Sequence, residues 1–317
     1  MCPATGLPPD ERTLMPLPAA PINAPLPTQQ AQNLKGIALM ALGFFSLAAC
    51  DMQAKLLTSE LPPFQVVWFR QLGLLIGVLA LLALRGPGLL VSVKPFLQIG
   101  RGLAAAVSAS CFVMGVGFVP LADAVAVTFI APFVVTILGA LILREPVGIR
   151  RWAAVATGFV GMLIVIRPGM GVFHPAILFI VAAACMFAFR QILSRWLSGA
   201  DSVTTTVAYT SITSSLVLSV TLPFVWVTPD SAATWGIIAG MGICAGLGEV
   251  FVIRALDIAQ AVVLAPVHYT LILWGTFYGF VIFGDLPDGW TILGCVIIVA
   301  SGLYTVHRER LRKSDKA

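Results

Sequence analysis

From about residue 35 onward the chain alternates long apolar runs with short polar breaks, ten times over. The runs cover approximately 36–57, 63–84, 97–119, 121–143, 150–167, 174–197, 203–225, 232–254, 259–283 and 287–307. Most approach the roughly 20 apolar residues that a helix needs to cross a bilayer. The breaks carry turn chemistry: Leu61-Pro62-Pro63, Arg85-Gly86-Pro87-Gly88, Arg167-Pro168-Gly169, Thr228-Pro229-Asp230 and Asp285-Leu286-Pro287-Asp288. At Pro120-Leu121 two helices must meet in a very tight turn. The pattern predicts an all-α integral membrane protein with ten transmembrane helices.

Composition removes the competing classes. Of 317 residues, 59% are hydrophobic and 10% charged, with mean hydropathy +0.97, against roughly 25% charged in a soluble domain. A water-soluble fold of this size could not hide so much apolar surface. A disordered chain, a disulfide-stapled secreted module and an ordinary cytosolic enzyme are excluded for the chain as a whole. Residues 1–34 differ: they hold eight of the 21 prolines, and no apolar core follows a basic start. They are expected to be a disordered Pro-rich tail, not a signal peptide. Of the six cysteines, Cys50, Cys111, Cys185, Cys244 and Cys295 lie in apolar runs and no CxxC pair occurs. They read as small hydrophobes, and no metal or cofactor is expected.

The formal charge of +5 is dispersed, which suits topogenic charge rather than a nucleic-acid partner. Lys35, Arg85, Lys94, Arg101, Arg144, Arg150, Arg151, Arg195 and Arg254 fall near alternate breaks. So do Arg308, Arg310, Arg312, Lys313 and Lys316 of a basic tail, 308–317. Glu60, Asp123, Asp230, Asp285 and Asp288 occupy the intervening breaks, with Arg167 as the main exception. Ten helices with both termini in the cytoplasm satisfy this alternation, in a plasma membrane such as the bacterial inner membrane.

The two halves are related. Ala48-Ala49-Cys50 recurs 135 residues later as Ala183-Ala184-Cys185, and Lys55 meets Arg190 at the same offset. Ala131-Pro132 recurs as Ala265-Pro266, 134 residues on, and Glu145-Pro146 resembles Asp285-Leu286-Pro287. The expected repeats are 35–168 and 169–307. Five helices per repeat is an odd number, so the second copy must cross in the opposite sense. Inverted repeats place a binding site near the midplane and allow it to be exposed to either side in turn.

These features resemble the drug/metabolite transporter superfamily, in its EamA-type ten-helix branch, over about residues 35–307. The resemblance is carried by Phe64-Gln-Val-Val-Trp-Phe-Arg70, Arg101-Gly102, Ala131-Pro132 with Leu143-Arg-Glu145-Pro146, and Ala265-Pro-Val-His-Tyr269 with Phe283-Gly-Asp285-Leu-Pro-Asp288. The long spacing from Ala265-Pro266 to Asp285 is similar to that of the branch containing S-adenosylmethionine and riboflavin carriers. Asp285 stands where the family usually has Glu, and His268 where the S-adenosylmethionine carriers place a basic residue. The resemblance implies a secondary carrier, with riboflavin as its leading cargo and S-adenosylmethionine or amino acids as alternatives.

Ionisable residues at membrane depth are functional candidates by default. Asp51 and Lys55, four apart on one face, are expected either to neutralise each other or to act in coupling or gating. Arg70 has no acid nearby in sequence and must find one on another helix, a carbonyl or a substrate anion. Arg101 and Arg190 serve as cytoplasmic anchors or as gating residues. Glu249 pairs with an arginine or accepts a coupling proton. Pro132 and Pro266 are expected helix breaks that free carbonyls to a cavity. His268, Tyr269, Trp274, Tyr278 and Tyr209 are candidate substrate contacts, since aromatic faces stack on rings or cations; plain packing is the alternative for each. No GxxxxGK[ST] loop is present for ATP, and neither HExxH nor GxSxG supports an enzyme. A channel, a flippase or an assembly factor would fit the composition. The duplication favours a carrier of a small molecule, driven by a proton or ion gradient where it concentrates its cargo.

Overall fold

A computed structural model describes residues 27–144, 148–167, 174–197, 200–259 and 264–314. The expectations resting on Glu145, Pro146, Pro168, Gly169 and Lys316, and on the tail before Pro27, lie outside these residues. The described chain is built from eleven α-helices: α1 Pro27–Leu57, α2 Pro63–Arg85, α3 Pro95–Val116, α4 Leu121–Thr128, α5 Ala131–Ile142, α6 Ile149–Ile166, α7 Ile177–Leu197, α8 Val203–Val225, α9 Ala232–Ile258, α10 Thr270–Phe283 and α11 Gly289–Ser314. Helices α4 and α5 form one broken crossing, and a 3-10 turn at Ala265–Tyr269 precedes α10. Ten crossings result. The first helix begins at Pro27, so residues 27–34, expected in the tail, are helical instead. Helix α11 likewise continues through the expected tail to Ser314.

The ends follow local chemistry. Pro63 and Pro95 open α2 and α3 at positions whose N–H has no intrahelical partner. Ser202 and Ser231 cap α8 and α9 by accepting from the amides of Thr205 and Thr234, each at 3.0 Å. Gly284, at φ +72°, stops α10 in the left-handed region where a side chain is disfavoured.

Every extensive helix pairing joins one repeat to the other. Helix α1 packs on α9 and α3 on α7; α2 meets α8, the α4–α5 crossing meets α10, and α6 meets α11. The pairs follow a two-fold rule, since α1·α9 maps onto α3·α7 when the halves are exchanged. The three self-paired crossings are antiparallel: Gln65 meets Val227 while Leu90 meets Tyr209, Leu121 meets Gly279 while Val125 meets Gly275, and Ala154 meets Ser301 while Gly161 meets Gly294. A crossing that meets its own copy antiparallel requires a two-fold axis across the helices, in the membrane plane. The two repeats are therefore inverted.

Large apolar side chains such as Ile76, Leu84, Phe96, Phe224 and Val281 point outward, as they should when lipid is the solvent. Between helices, close approach depends on glycine. A Cβ on Gly73 would strike the backbone of Gly242, whereas one on Gly77 meets nothing within 4 Å. Gly73→Ala therefore pries α2 from α9 and destabilises the fold by about 1–3 kcal/mol. Gly77→Ala is neutral or slightly stabilising through helix propensity. Thermal unfolding of the two variants in detergent checks the contrast, and equal midpoints would remove the claim of contact.

Candidate functional site

A cavity of about 850 Å³ lies between the repeats. Its walls follow helical spacing. Phe44, Leu47 and Asp51 come from α1, Arg70, Gln71 and Leu74 from α2, and Arg101, Ala105, Ser108 and Phe112 from α3. Phe187, Arg190 and Ser194 come from α7, Thr210 from α8, and Ala245 and Glu249 from α9. The two helix breaks meet at it, Phe129 of the first against Tyr269 of the second. Pro132 lies in the first turn of α5, and Pro266 opens the 3-10 turn that sets His268 and Tyr269 into the lining. His268 is deep in the protein yet accessible, because its ring faces the cavity. Its edge meets Phe44 at 4.6 Å and Phe129 at 5.8 Å, and Tyr269 stacks on Phe129 at 5.3 Å.

Charge is unevenly distributed around this wall. Arg70 Nη1 donates to Asp51 Oδ1 at 2.7 Å, a largely buried ion pair. Arg101 donates through Nε to Ser194 Oγ at 2.7 Å and through Nη1 to Thr210 Oγ1. Arg190 lies 4.7 Å over the Phe187 ring, and its buried Nε has no acceptor. Glu249 makes no ion pair among the described residues, but its charge acts on Arg70, Arg101 and Arg190. With Arg195 at the rim, four arginines face two carboxylates.

One end of the cavity is sealed. Lys55 donates to Val119 O at 2.9 Å and to Asp285 Oδ2 at 3.4 Å, with its ammonium over the Phe283 ring. Arg167 reaches Asp288 at 2.6 Å, and Thr291 donates to Asp123 at 3.0 Å. Thr234 donates to Glu60 at 2.7 Å. Apart from the Lys55–Val119 bond, which lies within the first repeat, each contact joins one repeat to the other. The cavity lining extends instead toward Ser194, Arg195 and Thr136 at the opposite end.

Several expectations need correction. Asp51 pairs with Arg70 and not with Lys55, which instead reaches the loop before α11. Trp274 and Tyr278 do not line the cavity; both pack against Phe45, at 5.1 and 5.5 Å. Tyr209 is also outside it, donating to Leu90 O at 3.0 Å. The residues brought together are Asp51, Arg70, Arg101, Arg190, Glu249, His268, Tyr269 and Pro132. Phe44, Phe129 and Phe187 were missed as lining residues. A signal existed for Phe44, which lies seven residues before Asp51 and hence on its face.

At the far end the α2–α3 and α7–α8 loops are tied through Asp201. It accepts from Ser92 Oγ at 2.6 Å, Val93 N at 2.8 Å and Gln98 Nε2 at 2.8 Å. These bonds, that from Ser92 foremost, hold its carboxyl below the usual range. A depressed native value stabilises fully above the ordinary carboxylate pKa, about 3.9. That contribution fades as the pH falls through the native value. Asp201→Asn should flatten this acid limb; unfolding midpoints from pH 3 to pH 6 test it, and an unchanged limb would count against it.

The EamA-like transporter family model matches residues 34–167 and again 174–306. An S-adenosylmethionine uptake transporter of Rickettsia prowazekii is 28% identical over 89% of this chain and 96% of its own length. A riboflavin transporter of Vibrio cholerae is 32% identical over 60% of this chain and 64% of its own. A pseudopaline exporter of Pseudomonas aeruginosa is 27% identical over 84% and 94%. A solved crystal structure shares the fold, with a TM-score of 0.59 at 18% identity, covering 89% of this chain and 99% of that one. Two matched repeats, inverted and enclosing one cavity, make this chain a multi-pass membrane protein that belongs to the EamA-like transporter family.

Proposed function

We propose that the chain is a secondary carrier that moves a small ring-bearing metabolite by alternating access. The observation that carries this reading is a largely apolar cavity between inverted repeats, set with charged and aromatic side chains and sealed at the Asp285 end by cross-repeat contacts. By the distribution of Lys and Arg, the end holding Lys94, Arg101 and Arg195 is cytoplasmic, which makes this the inward-facing state. The relatives named here come from bacteria, in keeping with the inner membrane as its location.

The repeat relationship supports the same state. Lys55 and Arg190 are counterparts, yet Lys55 is paired across the sealed end while Arg190 faces the cavity. Exchange of these two environments would close the cytoplasmic side and open the other. Because the chain has no nucleotide-phosphate loop, accumulation of cargo would draw on a gradient.

The wall of Phe44, Phe129, His268 and Tyr269 suits a flat ring. Riboflavin and S-adenosylmethionine both provide one, and amino acids with aromatic side chains are the smaller alternative. The test is counterflow in reconstituted vesicles with labelled riboflavin, S-adenosylmethionine and amino acids, with and without a pH gradient. At least one labelled ring compound should exchange, and Tyr269→Ala should cut its rate about tenfold by removing a stacking surface. If no compound exchanges, or Tyr269→Ala exchanges normally, the assignment is wrong.

A further inference from the structure

Arg70 and Asp51 neutralise each other. Three other charged groups in the same cavity have no such partner. Arg101 spends two donors on the hydroxyls of Ser194 and Thr210, and no carboxylate lies within ion-pair distance among the described residues. The Arg190 side chain donates to no described residue, and its Nε is buried without an acceptor. A guanidinium offers five N–H donors in a planar fork that matches a carboxylate. The two arginines also lie close enough to act on each other as like charges. An anion held between them would remove that repulsion and fill the empty donors. Glu249, on the facing helix α9, carries the opposite charge into the same space without an ion-pair partner of its own.

We propose that Arg101 and Arg190 bind a carboxylate, and Glu249 an adjacent ammonium, so that the cargo is a ring-bearing zwitterion of the α-amino-acid type. This rests on the carrier reading only in taking the cavity as the place where cargo binds. The ring lies toward Phe129, His268 and Tyr269, and the zwitterionic end lies toward α7 and α9. S-adenosylmethionine and aromatic amino acids satisfy the pattern. Riboflavin has no ionised group at neutral pH and would leave all three charges unanswered. A dianionic phosphate would meet repulsion from Glu249.

The test is equilibrium binding to the purified full-length protein in detergent. One series comprises S-adenosylmethionine, its decarboxylated form, its deaminated 2-oxo acid and 5′-methylthioadenosine, which lacks both groups. A second comprises phenylalanine, phenethylamine and 3-phenylpropionate, and riboflavin serves as the uncharged ring. The zwitterion of at least one series should bind about 10- to 100-fold more tightly than analogues lacking either charge, as lost charge-assisted hydrogen bonds require. Arg101→Gln and Arg190→Gln should erase the preference for the carboxylate while leaving the carboxylate-free amine unaffected, and Arg190→Lys should restore part of it. Glu249→Gln should erase the preference for the ammonium. The proposal is overturned if the wild type binds no zwitterion or prefers riboflavin, or if the arginine variants weaken both analogues equally. Counterflow separates the two readings: charge-selective binding without exchange removes the carrier alone, and exchange of cargo without charge selection removes the subsite alone.

Discussion

Arg70→Ala should abolish transport and destabilise the folded protein. The guanidinium and the Asp51 carboxylate lie 2.7 Å apart, with side chains 19% and 11% exposed. Removal of one partner leaves the other buried and uncompensated, a loss of about 3–5 kcal/mol. The lower figure applies because both groups border a hydrated cavity. Cys50, fully buried beside them, offers no replacement charge. The pair also pins α2 to α1 in the cavity wall, so its loss disorders the wall as well as the charge. The informative comparison is with Asp51→Asn/Arg70→Gln, which removes both charges at nearly constant volume. That double variant should regain most of the lost stability, measured by thermal unfolding, while vesicle uptake stays low. If Arg70→Ala unfolds at the wild-type temperature, the ion pair does not hold the helices together. If the double variant is no better than the single one, shape rather than charge is responsible.

Hydropathy made the ten crossings legible, because lipid imposes both length and apolarity on each of them. The inversion was legible as well: an odd number of crossings per repeat leaves no other arrangement, and Lys55 with Arg190 marks the two copies. The failures share a cause. Spacing fixes which residues share a face but not which neighbour that face meets. Asp51 and Lys55 lie on one face of α1, yet Asp51 is at the depth of Arg70 on α2, and Lys55 lies a turn further on, where the Asp285 loop folds over. Trp274 and Tyr278 do share a face of α10, and that face is filled by Phe45 from α1. Phe129 is another example: it becomes a stacking partner for Tyr269 only because two helix breaks, one per repeat, come to meet. Depth along the helix axis and the identity of the facing helix are tertiary facts, and a single sequence encodes them only through the repeat.

Lys55→Glu should open the sealed end. The lysine holds Val119 O, Asp285 and the Phe283 ring together across the repeat boundary, and its side chain is only 13% exposed against 39% for that of Asp285. Charge reversal replaces an attraction with repulsion from Asp285 and from Asp123 nearby. Arg167–Asp288 and Thr234–Glu60 remain, so the seal weakens without vanishing. The Asp288 carboxyl, held below its usual range by the Thr291 amide and then by Arg167, keeps its charge well into the acid range. A bias of about 1–2 kcal/mol between the two states shifts their ratio about 5- to 30-fold. A cysteine at Phe112, in the cavity lining near the sealed end, reports the change. With the native cysteines replaced, an impermeant thiol reagent in the extracellular medium should label Phe112→Cys about tenfold faster when Lys55→Glu is present. Labelling from the cytoplasmic side should slow in step, because a two-state carrier cannot open one end without depopulating the other. Faster labelling from both sides would mean that the bundle had loosened rather than switched. Unchanged labelling from outside would mean that Lys55 stabilises the fold without acting as a gate.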